Sequence, residues 1–212
     1  MGWRKITRST DERTTIASAL PAAAAGDSLL LMFPGSDIEL LDVACLISNL
    51  SSLILDFVSR LKVGGINFNF FIYEQLPTLR PEAYSEGGSL FIVPRVVELT
   101  YTSRSLTIFA NDMGYEGPPF TFNPERRAVL RAELDAWYAH AYGLTRDELR
   151  YVLDPADVMG NDYPSETFRG LKEKELRRHG EYRTRRLVLA AYDELANDLA
   201  AVGLERPLAG VA

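Results

Sequence analysis

The charged side chains are the residues whose types and spacing could do chemistry. Between Lys172 and Arg186 stand seven bases (Lys172, Lys174, Arg177, Arg178, Arg183, Arg185, Arg186) and three acids, a net of +4. Between Trp3 and Arg13 stand four bases (Arg4, Lys5, Arg8, Arg13) and two acids, a net of +2. Such stretches suit phosphate oxygens, each contact adding salt-dependent affinity. The plainer reading of the acid-mixed run near Lys174 is a solvated face. The chain as a whole carries −6. A dedicated non-specific DNA binder is ordinarily basic, so the total weighs against that class.

The other reactive groups do not assemble. Cys45 is the only cysteine and lies inside an apolar helical pattern, which reads as a buried structural thiol. A disulfide within the chain and a cysteine-rich zinc site are both excluded, and the pattern fits a reducing cytoplasm. His140 and His179 have no partner at metal-ligand spacing. Gly64-Gly65 follows a helix rather than a strand, the wrong context for a dinucleotide fingerprint. The reading is therefore no catalytic residue, no metal and no cofactor.

The elements that must position these groups follow from periodicity. The 212 residues, 47% hydrophobic and 25% charged, have a globular composition. Trp3–Thr7, Thr14–Ala19 and Ser28–Phe33 read as strands, the last closed by Pro34-Gly35. From Leu40 to Leu61 apolar residues recur at steps of three and four, predicting one long helix central to the core. Asp42, Asn49, Asp56 and Arg60 interrupt it, which argues for a buried helix and against a membrane span. Gly64-Gly65 is read as its end. Ile66–Tyr73 reads as a strand, with Ile66, Phe68, Phe70 and Ile72 on one face and Asn67, Asn69, Phe71 and Tyr73 on the other.

The second half is mainly helical. Val93–Met113 carries helical spacing, Asn123-Pro124-Glu125 is a helix start, and Thr145 with Glu148 has capping-box spacing. Asp154–Ser165 reads as a loop and Arg183–Val202 as the last helix. The fold class expected is α+β: a small mixed β-sheet packed on a long central helix, followed by a mainly helical C-terminal half. The expected organisation is a domain over 1–79, a linker over 80–90, a helical region over 91–203 and a flexible tail over 204–212.

Six segments then occur in a telling order: "ERTTIASALP" (Glu12–Pro21), "LILDFVSRLKVGG" (Leu53–Gly65), "NFFIYEQLP" (Asn69–Pro77), "FIVPRVVELTYT" (Phe91–Thr102), "GYEGPPF" (Gly114–Phe120) and "HGEYRTRRLVLAAYDEL" (His179–Leu195). Together they resemble the C-terminal part of type IIG restriction-modification enzymes and related phage-defence N6-adenine DNA methylases. The first half resembles their TaqI-like specificity domain, and the likeness covers nearly the whole chain.

The resemblance implies a DNA target-recognition portion, with double-stranded DNA as partner. Asn67 and Asn69 would then meet adenine edges or backbone phosphates, or instead bond neighbouring strands or turns. Two residues of strand separate them by about 7 Å, enough to reach neighbouring base pairs that rise about 3.4 Å each. Lys62 at the helix end, with Arg4, Lys5, Arg8 and Arg13, would meet phosphate. Lys174, Arg177, Arg178, Arg183 and Arg185 would supply secondary phosphate contacts. The likeness stops at the catalytic motifs: there is no glycine-rich S-adenosylmethionine loop and no Asn/Asp-Pro-Pro-Tyr/Phe. Gly117-Pro-Pro-Phe120 puts glycine, which has no side chain, where the amino group of a flipped adenine needs an acceptor. The expectation is a non-enzymatic, cytoplasmic, membrane-free recognition portion, with a methyltransferase catalytic subunit or domain as a further partner. The alternative is a protein-interaction scaffold docked on a methylase or another defence component.

Overall fold

The computed structural model describes residues 1–164 and 166–204. The fold is α+β. Strands β1 (Gly2–Arg4), β2 (Ala17–Ser18) and β3 (Leu29–Leu31) form one sheet in the order β2-β1-β3. Both pairings are antiparallel, with Trp3 opposite Ala17 on one side and Leu30 on the other. The first three of the four expected strands exist, shorter than the sequence suggests, and the sheet is wholly antiparallel rather than mixed.

Among the described residues ten α-helices follow: α1 (Leu40–Leu50), α2 (Leu53–Lys62), α3 (Phe70–Tyr73), α4 (Glu86–Thr100), α5 (Thr107–Asp112), α6 (Pro124–Ala141), α7 (Arg146–Leu153), α8 (Ala156–Met159), α9 (Arg169–His179) and α10 (Arg183–Leu195). The expected single helix over 40–61 is in fact two, α1 and α2, meeting at 63°. Ser52 causes the break. Its backbone is extended and its Oγ accepts from Leu55 N at 3.2 Å, which starts a new helix. A second donor freed by that restart, Leu53 N, is taken by Asp135 Oδ1 of α6 at 2.6 Å. Among the described residues no single helix is long and apolar enough to cross a membrane.

The expected strand over 66–73 is the larger correction. Only Asn67 pairs in β fashion, in an isolated bridge to Ile6. Asn69 is then the N-cap position of α3. The buried residues are Phe68, Ile72, Tyr73 and Leu76, whereas Ile66 and Phe70 are about half exposed. Burial at steps of four is the helical period, and it prevails over the alternation of Asn with apolar residues. Trp3 fixes the turn: its Nε1 donates to Phe68 O at 3.1 Å and its ring stacks on Tyr73 at 4.0 Å.

The capping signals of the second half hold. Asn123 Oδ1 accepts from Glu125 N and Arg126 N at 3.0 and 3.1 Å, and Thr145 with Glu148 forms a full capping box. The stretch read as one helix over 93–113 is α4 and α5, separated by a turn at Tyr101–Leu106. Helix α4 begins at Glu86, inside the expected linker, because Ser85 Oγ caps it by accepting from Gly88 N at 3.2 Å. Inside the expected loop, Ala156–Met159 is helical. The last helix ends at Leu195, with a separate 3-10 turn over Ala200–Val202.

One large core draws on both halves: Cys45, Ile47, Leu53 and Ile54 pack with Ile92, Val96, Trp137, Tyr138, Leu149 and Val188. A second, smaller core gathers Trp3, Leu50, Leu55, Phe68, Ile72 and Tyr73 under the sheet. Of the expected tail, residues 205–212 lie outside the described residues.

Candidate nucleic-acid interface

The N-terminal bases divide by what they touch. Asp56 and Arg60 stand four apart on α2, both buried. Asp56 accepts from Arg60 Nε at 2.7 Å, Arg13 Nε at 3.1 Å, Thr14 N at 2.8 Å and Thr15 N at 3.1 Å. The rest of the Arg60 fork donates to the carbonyls of Ser9, Asp11, Glu12 and Thr167, at 2.6 to 3.0 Å. Its guanidinium lies 4.5 Å from the centre of the Phe168 ring. A buried carboxylate with four donors, and a buried guanidinium with all its arms bonded, are the conditions under which interior charge is tolerated. Together they tie the loop over residues 8–15 to α2 and to the approach of α9.

This corrects the expectation for Arg13. Its Nη2 donates to Ser51 O and its side chain is only 22% exposed, so it is an internal strut rather than a phosphate contact. Arg4 likewise turns inward, donating to Arg13 O at 2.6 Å, Thr7 Oγ1 at 2.9 Å and Asp11 Oδ2 at 3.2 Å. Lys5 is paired with Asp27 at 2.6 Å. Arg8 is exposed, and its side chain has no polar partner among the described residues.

Arg8 does not stand alone. Thr7 N donates to Ile66 O at 3.0 Å and Phe68 N donates to Lys5 O at 2.7 Å, either side of the bridge between Ile6 and Asn67. The chain after Thr7 therefore runs beside Gly65. Lys62, at the last turn of α2, is exposed and without an ion-pair partner among the described residues. Asn67 is exposed and Asn69 half-buried. The two asparagines do not share a strand face, because Asn69 opens α3, its carbonyl receiving Ile72 N and Tyr73 N at 3.1 Å each.

Gly64 and Gly65 join Lys62 to this bridge. Neither has positive φ, and a Cβ built on either meets nothing within 4 Å. Val63, with extended backbone, is the C-cap of α2, so the glycines are not a left-handed helix stop as the sequence suggests. Lys62, the two glycines and Asn67 are thus one exposed stretch of chain, with the exposed Arg8 following the strand-like segment that pairs beside it.

The second basic run is mostly neutralised locally. Lys174 reaches Glu12 at 2.7 Å, Arg183 reaches Glu125 at 2.7 Å, and Arg185 reaches Asp157 at 3.0 Å. Arg177 and Arg178, exposed on the last turn of α9, have no ion-pair partner among the described residues.

The chain matches no family model, no curated protein and no solved structure.

Burial pushes the Cys45 thiol up to about 12, far from a thiolate. His140 stacks on Tyr192 at 3.8 Å with Nε2 on Tyr192 O at 2.9 Å, and burial lowers its affinity for a proton. It borders a small hollow of about 190 Å³ shared with Thr145 and Leu199. Among the described residues no three His, Cys, Asp or Glu side chains could hold a metal ion. The Asp56–Arg60 pair is what sequence reasoning missed. Its signal was the i,i+4 spacing of opposite charges inside an apolar helix.

Proposed function

We propose that this chain is the DNA target-recognition, or specificity, portion of a restriction-modification or phage-defence N6-adenine methylase. The observation that carries the reading is the Gly64-Gly65 turn. Nothing among the described residues requires glycine there, in conformation or in packing. Two side-chain-free residues do let an outside backbone come close. Lys62 precedes the glycines and Arg8 follows the Ile6–Asn67 bridge beside them, both exposed and without an ion-pair partner among the described residues, as phosphate contacts are. Asn67, exposed next to them, has the carboxamide that pairs with an adenine edge. The ordered likeness of six segments to the methylase family supports the same reading.

The test is selection from a random pool of 30-bp duplexes at low salt. Enrichment of a sequence, bound more tightly than the starting pool and lost in Asn67→Ala, is the expected result. Retention of no duplex at all at low salt defeats the reading.

The alternative is a scaffold that docks on a methylase catalytic subunit. It draws on a run of exposed apolar residues at the entry to α1: Phe33 at 83% exposure, with Ile38, Leu40 and Leu41. Capture of that subunit at salt that abolishes duplex binding would favour it.

A further inference from the structure

Beside the cationic turn stands an aromatic tip. Phe71 is 60% exposed on α3, and Phe70 beside it is 47% exposed. Four residues of chain separate Phe71 from Asn67, at most about 14 Å. The tip has a fixed base. Phe70 lies edge-on to Trp3 at 4.9 Å, Trp3 stacks on Tyr73, and Phe68, Ile72 and Tyr73 are buried beneath. Gln75 Nε2 donates to Phe71 O at 2.8 Å, closing the turn that presents the ring. Ile6 and Ile66, each about half exposed, flank Asn67 at the bridge.

Burial does not account for Phe71, since α3 already commits Ile72 and Tyr73 to the core. Lys62 and Arg8, on the chain segments that meet at the Ile6–Asn67 bridge, are exposed with no ion-pair partner among the described residues, and Glu74, likewise exposed and unpaired there, is the C-cap of α3. An apolar ring on a rigid base, next to cations and an exposed carboxamide, is the chemistry of side chains that enter a base step while phosphates are held alongside.

We propose that Phe71 is a wedge that inserts at an unstacked step of duplex DNA, with Ile66 and Phe70 packing on the exposed sugars and bases. This rests on the DNA-recognition reading and adds to it how the duplex is deformed. Unstacking is easiest where pairing is already weak, so the wedge makes a measurable demand: a central mismatch should improve binding.

The experiment compares two 30-bp duplexes of one mixed sequence, intact and with a central mismatch, at one low salt concentration. The proteins are the full chain, Phe71→Ala and Phe71→Leu, each first checked for an unchanged melting transition. The expected result is a preference of about tenfold for the mismatched duplex in the full chain. It falls below about twofold in Phe71→Ala and is largely kept by the apolar Phe71→Leu. If Phe71→Ala keeps the full preference, the wedge is wrong while duplex recognition stands. If the full chain binds both duplexes equally, the wedge is likewise overturned. If it binds neither duplex, the DNA reading itself fails. Phosphatidylserine vesicles form a control arm: tight vesicle binding lost in Phe71→Ala, with duplex binding unchanged, assigns the tip to a lipid surface and overturns the proposal.

Discussion

Asp135 gives the sharpest stability prediction. It is wholly buried on α6 and accepts one hydrogen bond, from Leu53 N at 2.6 Å. Burial raises its pKa from 3.8 to about 6; Arg13, the Leu53 N–H and Arg131 pull it down, and Asp56 adds to the rise. A carboxyl raised in the folded state holds its proton more tightly there than in the unfolded chain. Stability from this group is therefore full below about pH 4 and is lost as pH climbs through about 6. A gap of about 2 pH units is worth about 3 kcal/mol. Asn is nearly isosteric with the protonated acid and its Oδ1 still accepts from Leu53 N. Asp135→Asn should therefore raise stability at pH 8 by up to about 3 kcal/mol, or about 6 to 12 °C in Tm for a chain of this length. At pH 4 the two proteins should melt together. Urea unfolding at pH 4, 5, 6, 7 and 8 for both proteins is the assay, the informative quantity being their difference. If Asp135→Asn is less stable than the parent at pH 8, the ionised carboxylate is held by Arg13 and Arg131 more strongly than burial opposes it, and the reasoning fails.

Three further outcomes follow from the same geometry. Arg60→Lys removes the fork that reaches Asp56 and four carbonyls, and should cost about 3 to 5 kcal/mol in chemical denaturation; a loss below 1 kcal/mol counts against the network. Gly203→Ala places a Cβ against Ser85 Oγ and Gly88 N at a φ of +74°, and should lower stability by at least about 2 kcal/mol, read as a Tm drop of several degrees. Calorimetry should find no micromolar S-adenosylmethionine binding, because neither methylase motif is present in the sequence.

Local signals were legible where one residue type dictates one geometry. Asn123-Pro124 and the Thr145/Glu148 box mark their helices because a side-chain oxygen must meet orphan N–H groups. The long apolar repeat was visible, yet its break at Ser52 was not. A serine in an apolar run can bond back within the helix or cap a new one, and Asp135, 83 residues on, selects the second. The 66–73 stretch misled for a related reason. Alternation over four pairs fits a strand, but the Trp3 ring and its bond to Phe68 O reward burial at 68, 72 and 76.

The site was half legible. Arg8 and Lys62 were picked out with Arg4, Lys5 and Arg13 because a charge count weighs them alike. Only the fold separates Arg13, bonded to Asp56 and Ser51, from Arg8, which has no such partner. Asn69 was paired with Asn67 by a strand periodicity that the chain does not follow.

That separation leads to the most direct measurement: the salt dependence of association with a 30-bp duplex, for the parent chain and for Arg8→Ala/Lys62→Ala. Neither side chain has a polar partner among the described residues, so the double variant should melt with the parent. Its plot of log K against log salt should be shallower by about 2, one for each phosphate contact removed. A parent slope that the double variant reproduces, with both proteins folded, contradicts the assignment of the Lys62–Asn67 surface to DNA.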